Sequence, residues 1–244
     1  MVSSGPWIFR FMVILYLRQM DLILVVNQSQ KEYLESLNLG RPIRVIPAFL
    51  PPVKVDESLI PPQVSSLRKN VDIIIVSSGY CTPLYRYEDL LTAASKVQEA
   101  TGLKVGVIIC CYGTFHAEYH DKVKKMVAAM QNGWFAENLD PDTFVAILSI
   151  SDIYVRATTV DGDAVSIREA GFLGKKIVAS DAISRPAGSL TYAVGDVEGL
   201  TEQLLVAINS NLGSLIPEEI IDRSREFLAI YGKDITITAG NHSK

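Results

Sequence analysis

The sequence has few of the residues that build metal sites or disulfide frameworks. Its 244 residues include three cysteines and three histidines. Cys110 and Cys111 are adjacent within an apolar run, which is neither a metal-ligand spacing nor a disulfide framework, so we expect buried thiols in a reducing cytoplasm. His116 and His120 are four residues apart, a spacing that can hold a metal on a helix, but no third ligand is evident. We therefore interpret both histidines as solvated residues and expect no metal.

The sequence also lacks basic runs and long apolar segments. Its formal net charge is −4 and its Lys and Arg residues are scattered, which excludes the electrostatic footprint of a nucleic-acid-binding protein. The apolar segment at residues 6–17 is interrupted by Arg10 and is shorter than the roughly 20 residues of a membrane span. It lacks the small-residue cleavage site of a secretory signal. We expect a cytoplasmic protein in which this segment is buried or lies at the inner membrane face.

What the sequence does have is a regular alternation of apolar, β-branched runs and amphipathic runs. From residue 71 onward, buried strands such as VDIIIVSSG (71–79) and KVGVIICCYG (104–113) alternate with helical patterns. This order predicts right-handed βαβ units and a parallel sheet covered by helices on both faces, an α/β doubly wound fold. In such sheets ligands lie beyond the carboxyl ends of the strands.

An acidic turn follows one of these predicted strands. Asp161 and Asp163 flank Gly162, and such a pair of carboxylates can hold a divalent cation. The same loop enters a predicted helix, so Gly162 and the amides of Ala164 and Val165 can instead receive a phosphate.

A third interpretation of the turn needs no ligand. Ser166 and Glu169 have the spacing of a capping box, and Asp163 can cap the helix equally well. The local residues alone leave these three interpretations open.

A resemblance over a longer segment favours the phosphate-binding interpretation of this turn. Residues 152–181 resemble the donor-site segment of retaining GT-B glycosyltransferases of family 4, in which a Glu-Gly pair after a strand precedes a second Glu by eight positions. Asp161 and Gly162 stand at the first position, Glu169 at the second, and GKKIVASD (174–181) supplies the Gly and strand that follow. Upstream, residues 20–49 resemble the end of the family's N-terminal domain. Residues 76–94 resemble the first strand and helix of its C-terminal domain.

The resemblance implies a role for each residue of the turn. Asp161 and Glu169 would be the catalytic-site carboxylates, the first bonding hydroxyls of the donor sugar and the second the ribose hydroxyls. The backbone from Asp163 to Ser166 would hold the diphosphate at the helix N-terminus, where the helix dipole offsets leaving-group charge without a metal. Asp163 then becomes a helix cap, and the only co-substrate is a UDP- or GDP-sugar.

The chain departs from the family at the first strand–helix loop. After Gly79, which the resemblance places in the donor site, Tyr80 and Tyr85 stand where the family has an Arg and a Lys that reach the donor phosphates. Our hypothesis is that Arg86, Arg156 or Arg168 replaces the missing charge; the alternative is that Arg156 and Arg168 are surface or ion-paired residues.

Two further segments fall where the family faces the cleft. Glu137, Asn138 and Leu139 correspond to the loop that reads the nucleobase, although a capped turn before a helix explains them equally well. Arg185 is placed to contact the acceptor or to cap the site.

The resemblance divides the chain into four parts. Residues 1–50 would be a remnant of the N-terminal GT-B domain, 51–70 an interdomain linker, 71–216 the nucleotide-sugar-binding Rossmann-like domain, and 217–244 a cross-back helix and tail. The expected activity is transfer of a sugar to a polysaccharide, glycan or lipid-linked acceptor. The alternative is a non-catalytic nucleotide-binding or partner-docking domain, or a split-enzyme subunit. Exposed apolar surface on residues 1–50 would promote self-association or binding of an N-terminal-domain partner.

Overall fold

The structure is a computed structural model that describes residues 7–46, 49, 54–113, 116–162, 164–210 and 224–230. The chain divides into two compact units, residues 1–50 with 222–244 and residues 51–221. No helix in these described ranges is long and apolar enough to cross a membrane.

The smaller unit contains a two-stranded parallel sheet. In chain order its first elements are α1 (Trp7–Leu17), β1 (Ile23–Val25), α2 (Gln28–Ser36) and β2 (Ile43–Val45). Ile23, Val25 and Leu39 form its buried core. No residue of α1 is fully buried: Ile14 and Leu17 pack against this core, whereas the exposed apolar side chains range from 77% for Trp7 to 44% for Leu15.

The larger unit contains six parallel strands: β3 (Ile73–Tyr80), β4 (Val105–Tyr112), β5 (Gly133–Glu137), β6 (Ile153–Arg156), β7 (Lys176–Ser180) and β8 (Leu190–Tyr192). They lie in the order β5-β4-β3-β6-β7-β8. This is the Rossmann order, which reverses direction between β3 and β6 and opens a ligand crevice at that point. The predicted α/β doubly wound sheet is confirmed.

Helices cover both faces of this sheet. They are α3 (Pro62–Asn70), α4 (Tyr87–Thr101), α5 (Ala117–Ala129), α6 (Pro141–Ser149), α7 (Val165–Phe172) and α8 (Val197–Asn209); α9 (Ser224–Ile230) belongs to the smaller unit. Buried residues of α4, α5 and α8 pack on one face, and those of α3, α6 and α7 on the other. Strands apolar on both sides form because both faces are covered.

The linker predicted for residues 51–70 is wrong over most of its described length. A 3-10 turn spans Glu57–Leu59, and α3 follows with Val64 fully buried in the core of the larger unit. Proline is compatible with this helix because Pro62 occupies its first turn, where no amide donor is needed. The sequence of the segment had indicated a linker because pairs of prolines flank a polar stretch.

Candidate functional site

The candidate site lies where the strand order reverses, at the carboxyl ends of β3 and β6. Arg156 is the last residue of β6, and its Nη1 donates a 2.9 Å hydrogen bond to the carbonyl of Ser78, near the end of β3. A buried cation therefore spans the crevice in which doubly wound sheets bind their ligands.

Asp161 holds this cation and a second one. Its two carboxylate oxygens each accept a 3.0 Å bond from Arg156, and one also accepts a 2.7 Å bond from Arg185 Nη1. The side chains of Arg156, Asp161 and Arg185 are only 9%, 5% and 2% exposed. Burial opposes ionisation of Asp161, but the two guanidinium groups outweigh it and lower its pKa.

This cluster changes two sequence predictions. The Asp161 carboxylate also accepts from the Gly162 amide at 3.1 Å, so its lone pairs are already engaged and it does not present itself to sugar hydroxyls. Arg185 donates to Ser180 as well as to Asp161 and is buried, which does not fit a contact with an acceptor. Both residues instead shape the floor of the crevice.

Tyr85 covers the end of β3. Its ring lies 4.7 Å from the Arg156 guanidinium and stacks on Tyr87 with ring centres 5.9 Å apart. Gly79 makes this possible: a Cβ at that position would lie 1.8 Å from the Tyr85 ring. The close approach of Tyr85 therefore explains why glycine occupies position 79.

Arg86 is paired within the first turn of its own helix. Its Nε and Nη2 donate to both carboxylate oxygens of Asp89, at 2.5 and 3.1 Å, in the first turn of α4. This pairing raises the pKa of Arg86. Of the three arginines in the hypothesis, Arg156 lies at the crevice, and Arg168 is half-buried on α7.

The first turn of α7 is tied to the sheet by hydroxyl groups. Tyr154 donates a 2.6 Å bond to Ser166 and shares a 2.9 Å bond with Ser78. Helix α7 begins at Val165, and its N-cap residue is Ala164, which has no side-chain acceptor. The predicted Ser166 capping box is therefore wrong, because Ser166 lies inside the helix and bonds to Tyr154. The predicted cap at Asp163 lies outside the described residues.

Glu169 is the carboxylate that remains available at the site. It is half-buried on α7, and no described residue forms a hydrogen bond or ion pair with its side chain. Burial raises its pKa because no cation offsets the lost hydration. A carboxylate whose pKa is raised by burial is a candidate for a ligand-binding residue.

The predicted base-reading loop has internal partners. Glu137 accepts from Lys124 at 2.7 Å and pairs with His120 at 2.8 Å, so its carboxylate is directed to α5. Asn138 accepts a 3.0 Å bond from the Gly113 amide, and Leu139 packs on the core. The side chains of these three residues hold the loop rather than face the crevice.

The two histidines in the described ranges lie in different environments. His120 is buried against Glu137 and Phe135, so the prediction that it is solvated is wrong, whereas His116 is exposed. Cys110 and Cys111 are buried free thiols, as predicted. The described residues contain no group of three potential metal ligands.

No protein-family model matches the chain, and a search of curated proteins finds no match. Solved structures do share its fold. They include a UDP-forming trehalose-phosphate synthase from Burkholderia xenovorans in complex with glucose-6-phosphate, at 13% identity and TM-score 0.67, covering 83% of this chain and 56% of that one.

Two further structures resemble the chain to a similar extent. An E. coli trehalose-6-phosphate structure bound with UDP-2-fluoro glucose has 16% identity and TM-score 0.67, over 94% of this chain and 60% of that one. A Rickettsia africae glycosyltransferase has 17% identity and TM-score 0.69, over 94% and 67%. This chain thus spans less than two thirds of the first two structures, and at these identities the likeness concerns the fold.

Proposed function

We propose that this chain is the donor-binding half of a glycosyltransferase that takes a UDP- or GDP-sugar and transfers the sugar with retention, without a metal. The acceptor class is a polysaccharide, a glycan or a lipid-linked saccharide. The observation that carries the proposal is the position of Glu169, a half-buried carboxylate without a described partner beside the crevice of a Rossmann-ordered sheet.

The crevice suits a nucleoside diphosphate. Two arginines share one aspartate at its floor, which leaves a surplus positive charge near the expected phosphates. The first turn of α7 is fixed to β3 through Tyr154, so the N-terminus of this helix is held in a defined position beside the crevice. A carboxylate such as Glu169 accepts from two vicinal hydroxyls, as a ribose offers.

The structural neighbours support the same class of ligand. Their names describe UDP-forming synthases, a complex with UDP-2-fluoro glucose and a glycosyltransferase. We infer from the shared fold that this chain binds the same class of ligand, and the crevice beside Glu169 is the site that we propose for it.

A second candidate is a nucleotide-binding domain that does not catalyse transfer alone. Tyr80 and Tyr85 stand in place of two expected cations, and the Asp161 carboxylate is engaged by Arg156 and Arg185. These features remove three groups that the family uses on its donor. A subunit of a split enzyme would share them and would recover turnover only with an N-terminal partner.

The deciding measurement is calorimetric binding of UDP, GDP and their sugars to the wild type, Glu169→Gln and the exposed control Glu202→Gln. We expect the wild type and the control to bind alike and Glu169→Gln to bind about tenfold more weakly, since it loses a charged acceptor. The proposal would be overturned if none of these nucleotides or nucleotide-sugars bound to the wild type. Release of UDP or GDP from the sugar donor in the presence of acceptor separates an enzyme from a binding module.

A further inference from the structure

The sheet separates Glu137 from the crevice. Successive side chains of a strand point to opposite faces. In β5, Ala136 packs in the cluster with α3, α6 and α7, and Glu137 therefore points to the other face, where it meets Lys124 and His120 of α5. Glu169 lies on α7, on the first face. A nucleotide whose ribose reaches Glu169 would therefore find its base on the face away from the Glu137 side chain.

Tyr112 lies on the correct face. It is the last residue of β4, two positions after Cys110, which packs in the cluster with α6 and α7. Its register partner is Tyr80, the last residue of the neighbouring strand β3. Its ring therefore stands at the carboxyl edge of the sheet, on the side that α7 covers.

The same edge is connected to the helix that carries Glu169. Ser166 is bonded through Tyr154 to Ser78, two residues before the end of β3. Glu169 follows Ser166 by three positions and so shares its helix face. Glu169 is thereby directed toward the carboxyl edge of the sheet, where Tyr112 lies at the end of β4.

The ring of Tyr112 is partly open to a ligand. The residue is half-buried, and its hydroxyl forms no hydrogen bond with any residue in the described part of the chain. Burial raises its pKa, and the charges of Glu169 and Asp140 contribute further, which agrees with a position between α7 and the start of α6.

We propose that Tyr112 binds the nucleobase by stacking, while the ribose of the same ligand reaches Glu169. This inference rests on the proposed function and deepens it by naming a residue that selects nucleotides over other phosphate esters. Base–aromatic stacking is tolerant of the base, because every base has a π-face. Selectivity between UDP and GDP would then come from the surrounding loop rather than from Tyr112.

The test compares Tyr112→Leu, which removes the ring, with Tyr112→Phe, which keeps it, and with Tyr33→Leu in the smaller unit as a matched control. We expect Tyr112→Leu to weaken UDP and GDP binding roughly 10- to 100-fold. Tyr112→Phe and the control should bind as the wild type does. Affinity for inorganic pyrophosphate, which has no base, should stay unchanged in all three.

A second measurement does not depend on the folding of the leucine variant. In wild-type protein with labelled tyrosine, the base protons of bound UDP should give a nuclear Overhauser effect to one tyrosine ring, and that ring's signals should be absent in Tyr112→Phe. Wild-type binding together with an unaffected Tyr112→Leu, or with no such effect at Tyr112, overturns this inference alone. A wild type that binds neither UDP nor GDP overturns the proposed function as well.

Discussion

Asp161 accepts two hydrogen bonds of 3.0 Å from Arg156 and one of 2.7 Å from Arg185. These contacts join the end of β6 to the loop after it and to the segment after β7. A carboxylate between two buried guanidinium groups stabilises both, and it fixes the floor of the crevice at the point where the strand order reverses.

Removing the charge of Asp161 is therefore expected to destabilise the fold. In Asp161→Asn, two buried arginines lose their counter-ion, and we expect the free energy of unfolding to fall by about 3–5 kcal/mol. Urea unfolding monitored by circular dichroism measures the change. The exposed control Glu202→Gln, beyond the first turn of α8, should change stability by less than about 0.5 kcal/mol. Equal effects of the two substitutions would contradict a stabilising role for the cluster.

Gly79 should not tolerate a side chain. Its φ is +150°, and the added Cβ of Gly79→Ala would meet the Tyr85 ring at 1.8 Å. We expect a loss of roughly 1–3 kcal/mol in unfolding free energy from strain and displacement of the ring. Gly162→Ala is the matched control, since its Cβ would meet nothing within 4 Å.

A double-mutant cycle separates the two causes of that loss. Adding Tyr85→Ala removes the collision but leaves the strained backbone of Gly79→Ala, so the double variant should recover part of the expected loss. Strict additivity of the two substitutions would show that the ring is not the obstacle.

The alternation of apolar strands and helices was sufficient to predict the sheet. Strands such as residues 73–80 are apolar on both faces, and this pattern specifies a covered parallel sheet without knowledge of distant partners. Alternation within β5 also implied that Ala136 and Glu137 point to opposite faces, whereas the helices that cover each face follow from the order of the strands.

The partners of the charged residues were not predictable in the same way. Arg185 lies 24 residues from Asp161, and which arginines meet one aspartate depends on how strand ends gather in space. The capping-box spacing of Ser166 and Glu169 was present, but α7 begins at Val165, which placed the Ser166 hydroxyl beside Tyr154. Local spacing identifies residues that could cap a helix, whereas tertiary contacts determine where the helix begins and which of these residues caps it.

The pairing of His120 with Glu137 predicts a pH-dependent contribution to stability. Burial opposes protonation of His120, but hydrogen bonds to Glu137 and Asp121 outweigh it and raise its pKa above 6.5. Cys81 and Glu137 also act on the ring through their charge, and Lys124 shares Glu137. Because the folded pKa lies above the unfolded one, the contribution is complete below about pH 6.5 and is lost as the pH rises through the folded pKa.

The measurement is the unfolding free energy of wild type and His120→Gln between pH 5 and 9. We expect the difference between them to be largest at the acidic end and to shrink toward pH 9. Exposed His116→Gln is the control and should follow the wild type at every pH. A difference that grows with pH would mean that His120 is held neutral in the folded protein.

The exposed apolar surface of α1 predicts that the purified chain self-associates. Arg10 is its only charged residue, and Trp7, Phe11 and Met12 are each more than half exposed. Apolar surface of this kind on one helix is costly in water and favours contact with another apolar surface. Light scattering should give an average mass that rises with concentration in the wild type and less in Trp7→Ser/Phe11→Ser. Val206→Ser, at an isolated exposed site on α8, should leave the association unchanged. A monomer at all concentrations would contradict this prediction, because the exposed helix would then be stable in water without a partner.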